Sequence, residues 1–270
     1  MRTGGTTAVL LAGRRDGATD PLALASGVTH KCLAPVAGQP MLLHVVEALV
    51  ANRRIGQVRV VIEDPALLAS LPPLRGLLHS GRLVGIAAQP HLVDSILAGA
   101  DGAAFPLLIT TADNVLLTPD AVDEMLDGCA AQGADAAVAF TRRASVLAAH
   151  REGQRKFYAF ADDSYSNCNT YWLRDRAALK MAETFRSGGQ FVKHPGRIIG
   201  AFGLLNLIRF RFGIGTLEQA FARFSRRFRL TISPVILTDG AVAIDVDNSR
   251  SLGVATVLLE QRAMVAQAAE

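Results

Sequence analysis

Short apolar runs alternate with segments of helical spacing through the first 140 residues of the chain. Each run has the length of one buried strand, and apolar residues three and four positions apart indicate the helices between them. This alternation predicts an α/β fold with a mostly parallel mixed sheet and helices on both faces. The predicted strands are Thr7–Ala12, Gln57–Ile62, Leu83–Ala87, Pro106–Thr111 and Ala134–Phe140, and the predicted helices are Met41–Asn52, His91–Gly99 and one capped by Thr118.

The second half of the chain is less regular but continues the same mixture of elements. We find no internal repeat and no linker, so we expect a single domain over residues 1–270 with an acceptor-side subregion at about 150–230. The predicted strands are Lys156–Ala161, Asn167–Leu173, Leu230–Leu237 and Ala241–Val246, and the predicted helices are Asp175–Arg186, Arg197–Phe212, Leu217–Phe228 and Ser251–Ala268.

Composition excludes several classes of protein. Half of the residues are apolar and 19% are charged, which is typical of a globular protein and not of a disordered one. No apolar run reaches the roughly 18 residues of a membrane span. The three cysteines, Cys32, Cys129 and Cys168, are too widely spaced for a disulfide framework or a zinc site. We therefore expect a cytoplasmic protein without an export signal.

Positive charge is concentrated late in the chain. Between Lys193 and Leu230 there are 8 basic residues and a single acidic one, Glu218. Three interpretations remain open: a solvated helix face, a pocket for an anionic acceptor that includes Lys193 and Arg197, or peripheral membrane contact through residues 193–230. The net charge of +4 is too small to indicate nucleic acid, and we expect none as a partner.

The loop after the first predicted strand is a candidate phosphate site. The strand ends at Gly13, and Lys31 follows in a second conspicuous run. Backbone N–H groups in such a loop can surround a phosphate, and a nearby ammonium can neutralise it. An ordinary strand–loop–helix unit with a solvated lysine is the alternative. Neither of the common glycine-rich phosphate-binding motifs, G-x-x-x-x-G-K-[ST] and G-x-G-x-x-G, is present.

Two stretches in this region resemble the nucleotidyltransferases of the GT-A-like fold, namely LLAG at Leu10–Gly13 and KCLAPVAGQPML at Lys31–Leu42. That superfamily includes the sugar-phosphate nucleotidyltransferases and the MobA-like guanylyltransferases of the molybdenum cofactor. Arg14 and Arg15 stand where a second glycine is common, and His30 replaces a proline. The matching residues are Leu11, Ala12, Gly13, Lys31, Leu33, Pro35, Val36, Gly38, Pro40, Met41 and Leu42.

The resemblance implies a Rossmann-like GT-A sheet and a nucleotide held at its edge. Leu11, Ala12 and Gly13 would bind the nucleotide, and Lys31 would hold the triphosphate. Arg14 or Arg15 would supply positive charge that relatives place elsewhere, so we count both with Lys31 as catalytic candidates.

Two further stretches resemble the metal-binding segments of the same superfamily. TADNVLLTP around Asp113 is similar to the strand end whose aspartate binds Mg²⁺, and IDVDNSRSL around Asp247 is similar to the segment that completes the site. Asp113 alone is also compatible with a surface turn at a helix entry. The second aspartate of that superfamily segment completes the metal site and maps onto Asp247, so we favour Asp247 over Asp245. Ser249 and Ser251 replace the usual Pro and Asp.

Three polar residues are candidates for contacts with the base and the acceptor. Gln89 and Ser95 lie where relatives read the base, although a helix start capped by Asp94 is an alternative. Asn169 lies on a predicted strand that relatives use at the acceptor. Trp172 is expected in the core.

Taken with these residues, the resemblance implies a Mg²⁺-dependent enzyme that transfers a nucleoside monophosphate and releases pyrophosphate. We favour CTP as the donor and a phosphorylated small acid or alcohol, phosphoglycerate-like or a sugar phosphate, as the acceptor. The alternatives are a MobA-like guanylyltransferase acting on a pterin phosphate, a nucleotide-binding regulatory protein without turnover, and a membrane-docked interaction module. The base, the acceptor and the oligomeric state are left open by the sequence.

Overall fold

A mixed β-sheet forms the centre of the structure, a computed structural model that describes residues 5–14, 20–179 and 212–268. The strands within these residues are β1 (Thr6–Leu11), β2 (Pro35–Val36), β3 (Gln39–Pro40), β4 (Ile55–Ile62), β5 (Leu83–Ala87), β6 (Leu107–Thr111), β7 (Ala136–Arg142), β8 (Tyr158–Ala159), β9 (Ser164–Leu173) and β10 (Ile232–Leu237). Strands β2 and β3 form a separate small pair, and the other eight form the main sheet in the order β10-β7-β9-β6-β1-β4-β5, with β8 paired to β9. In the main sheet, β9 is antiparallel to its neighbours, and the other pairs are parallel.

Helices cover both faces of this sheet, which confirms the predicted α/β fold class. They are α1 (Pro21–Ala25), α2 (Met41–Ala51), α3 (Leu67–Ser70), α4 (Arg75–His79), α5 (Leu92–Ala100), α6 (Pro119–Ala131), α7 (Arg143–Ala149), α8 (Leu217–Phe228) and α9 (Ser249–Ala268). Short 3₁₀ turns lie at Lys31–Leu33, Pro72–Leu74 and Gly240–Ala243. Among the described residues, no helix combines the length and the apolar character needed to cross a bilayer.

Two apolar layers form the core, one on each face of the sheet. On one face, residues of β1 such as Leu10 pack with Val46 of α2, Val122 of α6 and Leu258 of α9. On the other face, Phe221 of α8 and the residues of α5 pack against a second cluster. Alternate residues of each strand point to opposite faces, so each strand contributes to both layers.

Most of the predicted elements are confirmed to within a few residues. Thr118 caps α6 as predicted, because its side chain accepts a hydrogen bond from the Ala121 N–H at 3.1 Å. Pro119 follows it at the first helical position, where its missing N–H costs nothing. The predicted helix Leu217–Phe228 has the same bounds in the structure. The predicted helix Arg197–Phe212 lies outside the described residues except for its last residue.

The predicted strand Ala241–Val246 is wrong. The chain forms a 3₁₀ turn at Gly240–Ala243 instead, and Ile244 directly after it has an extended backbone. Asp239 stabilises this turn, since its Oδ1 accepts a hydrogen bond from the Ala241 N–H at 2.9 Å. The apolar residues of this stretch are buried, but they pack as a turn against α7 instead of joining the sheet. A short buried apolar run therefore does not distinguish a strand from a tight turn.

Candidate active site

Strands β1 and β6 are parallel neighbours, and the loops that follow them leave the sheet side by side. The Ala12 N–H donates to the Val61 carbonyl at 2.8 Å, and the Ala112 N–H donates to the Leu11 carbonyl at 2.9 Å. These bonds continue the sheet by one residue before Gly13 and Asp113 emerge. The predicted phosphate loop and the predicted metal-binding aspartate therefore share one edge of the sheet, where α/β proteins bind ligands.

Lys31 joins two carboxylates at this edge. Its Nζ donates to Asp113 Oδ2 at 2.8 Å and to Asp247 Oδ1 at 2.9 Å. The side chains of Lys31 and Asp113 are 20% and 12% exposed, whereas that of Asp247 is 59% exposed. We call these three residues the Asp113–Lys31–Asp247 cluster. Its members come from three distant parts of the chain, as the sequence predicts for a shared site.

The charge of Lys31 is supported by its partners. Burial lowers the pKa of the Lys31 ammonium, but the charges and hydrogen bonds of Asp113 and Asp247 outweigh this effect and leave the pKa above its ordinary value. Lys31 therefore remains a cation at neutral pH.

Backbone and hydroxyl contacts fix the positions of both aspartates. Thr111 donates its hydroxyl to Asp113 Oδ1, and the Val246 N–H donates to the Asp113 carbonyl at 3.0 Å. The Asp247 N–H donates to the Ser251 hydroxyl oxygen at 2.9 Å. Ser251, which departs from the superfamily pattern, thus holds Asp247 at the start of α9.

Asp245 lies beside the cluster and binds the acceptor candidate Asn169. Asn169 has a left-handed backbone with φ of 47°, at an irregularity in the pairing of β9 with β7. From there its Nδ2 donates to Asp245 Oδ2 at 2.7 Å. Sequence reasoning chose Asp247 because the superfamily motif places the metal on its second aspartate, and it therefore missed the contact between Asp245 and Asn169.

The carboxyl of Asp245 is shielded from water and faces like charges. Its Oδ1 atom is buried and has no hydrogen-bond partner within the described part of the chain. Burial, followed by the negative charges of Asp113 and Asp247, raises the pKa of Asp245 well above its ordinary range.

The two candidates for base contacts have different surroundings. Ser95 is buried, and its hydroxyl accepts from the Gln89 N–H at 2.8 Å and donates to the Gln89 carbonyl at 3.1 Å. The Gln89 side chain is exposed at the end of the loop after β5. Ser95 therefore holds the loop, and Gln89 is the group available to a ligand. The helix cap of α5 is His91, with Asp94 in the first turn.

The remaining predicted residues are only partly described. Arg14 is exposed after Gly13, and its backbone N–H donates to Glu63 Oε1. Arg15, Lys193 and Arg197 lie outside the described residues, so their roles stay predictions. Sequence reasoning also missed Glu63, which follows β4 at the same edge.

The cluster suits the chemistry of a bound magnesium ion in one respect. Two carboxylate oxygens from distant segments converge on a single positive charge, the Lys31 ammonium. Mg²⁺ is commonly bound by one or two carboxylates together with substrate phosphates and water. Within the residues that the structure describes, no three His, Cys, Asp or Glu side chains are arranged to hold a metal by themselves. A metal here needs substrate oxygens to complete its coordination.

Comparison with known proteins gives one curated relative and two solved structures of note. The chain is 37% identical over 101 residues to 2-C-methyl-D-erythritol 4-phosphate cytidylyltransferase from Bordetella petrii, and the match covers 36% of this chain and 43% of that protein. The matched region thus spans less than half the length of this curated relative.

The solved structures are similar in fold. A hypothetical transferase from Thermus thermophilus has a TM-score of 0.74 at 23% identity, with coverage of 92% of this chain and 100% of that one. CMP:2-keto-3-deoxy-manno-octonic acid synthetase complexed with CTP has a TM-score of 0.56 at 14% identity, with coverage of 95% and 99%.

A family model described as the MobA-like NTP transferase domain matches residues 9–179, which is more than half of the chain. This span includes the Gly13 loop, Lys31, Asp113 and Asn169. The matched family and the observed fold agree with the resemblance found in the sequence. The chain therefore belongs to the MobA-like NTP transferase domain family, within the nucleotidyltransferase superfamily.

Proposed function

We propose that this protein is a cytidylyltransferase that transfers CMP from CTP to a phosphorylated small acid or alcohol and releases pyrophosphate. The Asp113–Lys31–Asp247 cluster beside the Gly13 loop is the observation that carries this proposal. The name of the curated relative, a cytidylyltransferase acting on an alcohol phosphate, supports CTP as the donor. The basic segment at residues 193–230 supports an anionic acceptor.

In the proposed reaction, an oxygen of the acceptor phosphate attacks the α-phosphorus of CTP. A new P–O bond forms, the bond between the α-phosphorus and its bridging oxygen breaks, and the electron pair leaves with pyrophosphate. The acceptor phosphate is already an anion, so this step needs no general base. The protein must align the two groups and stabilise the negative charge that spreads over the phosphates.

The residues of the cluster have distinct parts in this mechanism. The Lys31 ammonium binds the triphosphate and stabilises its charge. Asp113 and Asp247 are the residues that would hold Mg²⁺. When bound, Mg²⁺ neutralises phosphate charge and favours departure of pyrophosphate.

A matrix of donors and acceptors tests the proposal. Pyrophosphate release is measured with ATP, CTP, GTP and UTP, each with Mg²⁺ or with EDTA, against 3-phosphoglycerate, sugar phosphates, 2-C-methyl-D-erythritol 4-phosphate and a pterin phosphate. We expect turnover that depends on Mg²⁺ and is fastest with CTP. GTP-dependent turnover on a pterin phosphate, the alternative that the family name favours, would contradict the cytidylyl assignment.

A matched pair of aspartate variants tests the metal site. Asp113→Asn removes a charge from the cluster, and Asp123→Asn makes the same change on the exposed side of α6, 3.4 Å from Arg54. We expect turnover to fall by about 10²-fold or more in the first variant, as on loss of a transition-state stabilising group, and to be unchanged in the second. Nucleotide binding by the parent without any pyrophosphate release would instead indicate the regulatory function.

A further inference from the structure

Glu63 contacts two segments that carry phosphate-binding candidates. It follows β4, and its Oε1 accepts a hydrogen bond from the Arg14 N–H, directly after Gly13. Its Oε2 lies 3.4 Å from His30 Nε2, directly before Lys31. One carboxylate therefore links the end of the β1 loop to the segment that presents the lysine.

Gly13 makes this contact sterically possible. A Cβ at position 13 would lie 3.3 Å from Glu63 Oε1 and 3.2 Å from the Cβ of Ala88. Both separations are tighter than those usually found around a real Cβ, so a larger residue would displace the carboxylate or the loop after β5. The glycine thus leaves room for the Glu63 carboxylate and for the loop after β5.

His30 is held between two polar side chains in the interior. Only 4% of the residue is exposed. Its Nδ1 is 2.9 Å from Thr29 Oγ1, and its buried Nε2, which makes no hydrogen bond within the described residues, lies 3.4 Å from Glu63 Oε2. The Glu63 carboxylate therefore fills the space beside the ring, and the next residue is the lysine whose ammonium contacts Asp113 and Asp247.

Electrostatics argues against direct contact between Glu63 and the triphosphate. A carboxylate repels phosphate groups, and both Glu63 oxygens already face nitrogen atoms of the protein. The favourable contribution of Glu63 is the geometry that it imposes on its neighbours. Hydrogen bonds to a charged acceptor are among the stronger ones in proteins, which suits this role.

We propose that Glu63 is a positioning residue that holds the Gly13–Arg14 backbone and, through His30, Lys31 in the arrangement that binds the nucleotide. This inference rests on the proposed function, since it assigns the residue to the donor site of that reaction. If the inference is right, loss of Glu63 weakens binding of the nucleotide and leaves binding of the acceptor unchanged.

Three variants test this role. Glu63→Ala removes both contacts, and Glu63→Gln keeps a side-chain oxygen for the Arg14 N–H while removing the charge opposite His30. Glu260→Ala, at an exposed position of α9, is the control for loss of a glutamate. CTP affinity is measured by calorimetry with Mg²⁺, the KM values for CTP and acceptor by pyrophosphate release, and the Arg14 amide by hydrogen exchange.

We expect Glu63→Ala to weaken CTP binding and raise the KM for CTP by about tenfold, the effect of one charge-assisted hydrogen bond. The KM for the acceptor should stay within about twofold. Exchange at the Arg14 amide should be faster, and Glu63→Gln should recover most of the CTP affinity. If Glu63→Ala does not fold, Glu63→Asp takes its place, because it shortens the carboxylate by one methylene, and we expect the same rise in the KM for CTP alone with faster Arg14 exchange.

The outcomes separate the two proposals. Unchanged CTP affinity and unchanged Arg14 exchange in Glu63→Ala would overturn the role of Glu63 alone, as would an equal rise in both KM values. Absence of binding and turnover in the parent with every nucleotide would overturn the proposed function.

Discussion

Lys31 is the central residue of the site, because its ammonium contacts two carboxylates that are remote in sequence. Lys31→Met would leave Asp113 and Asp247 facing each other and would remove the cation that binds the triphosphate. We expect pyrophosphate release to fall by about 10²-fold or more. Lys31→Arg keeps the charge but changes its geometry, and we expect an intermediate loss. Full turnover of Lys31→Met would contradict the mechanism.

The raised pKa of Lys31 predicts how this contact depends on pH. The ordinary pKa of a lysine, which applies in the unfolded chain, is 10.5, and the pKa of Lys31 in the folded protein is higher. The stability that Lys31 contributes is therefore fully present below pH 10.5 and lost as pH rises through the folded pKa. Urea denaturation of the parent and of Lys31→Met measures this contribution as a difference in unfolding free energy. We expect titration of Lys31 to leave that difference unchanged from pH 7 to about 10.

Individual site residues were predictable from the sequence only where they belong to a motif. Lys31, Asp113 and Asp247 stand in recognisable stretches, and the structure brings them together. Glu63 stands in no such stretch, and Asp245 stands in one whose motif assigns the metal to Asp247. Their roles depend on contacts between residues far apart in the chain, and such contacts leave no local pattern.

At the scale of elements, Gly240 lets the 3₁₀ turn approach α7. A Cβ at this position would lie 2.1 Å from the backbone carbon and oxygen of Ser145. Moving backbone atoms of α7 aside would strain the helix, so we expect Gly240→Ala to lower the unfolding free energy by about 1–3 kcal/mol or more. Turnover should also fall, because this turn leads directly to Asp245 and Asp247.

A second glycine provides the control for that substitution. Gly253 lies inside α9, and a Cβ there meets nothing within 4 Å. Alanine favours helix by up to about 1 kcal/mol over glycine, so Gly253→Ala should raise the unfolding free energy by a similar amount. Urea denaturation of both variants checks the pair. Equal effects of the two substitutions would contradict the close approach at Gly240.

Elements were predictable where local signals agree with tertiary packing. Thr118 and Pro119 define the start of α6 by their own chemistry, and the structure has the helix there. The apolar run at residues 241–246 is compatible with a strand and with a buried turn. The choice between them is made by α7 packing on Gly240, which no local pattern records.

At the scale of the whole molecule, the parallel sheet explains why distant segments meet. The carboxyl ends of β1, β4, β5 and β6 lie along one edge, so the loops after them share a single site. The sequence predicted this edge correctly because strand order in an α/β protein constrains where loops emerge. Burial raises the pKa of the Cys32 and Cys129 thiols to about 12, so both stay protonated at neutral pH and do not act as nucleophiles.

The buried carboxyl of Asp245 makes the stability of the whole fold depend on pH. The ordinary pKa of an aspartate is 3.8, and the pKa of Asp245 in the folded protein is well above that value. Between these two values the folded state binds more protons than the unfolded state, so the unfolding free energy falls as pH rises, by at most about 1.4 kcal/mol per pH unit for one proton. The asparagine in Asp245→Asn does not titrate, and its side-chain oxygen can still accept from Asn169.

We therefore expect Asp245→Asn to gain stability relative to the parent as pH rises from about 4 towards 8. Urea denaturation in EDTA without nucleotide measures this difference, because bound cations or phosphates would alter the charge around the carboxyl. Asp123→Asn is the control, since its side chain is exposed and its curve should run parallel to that of the parent. A curve for Asp245→Asn that also runs parallel to the parent would show that burial of Asp245 does not penalise its charge.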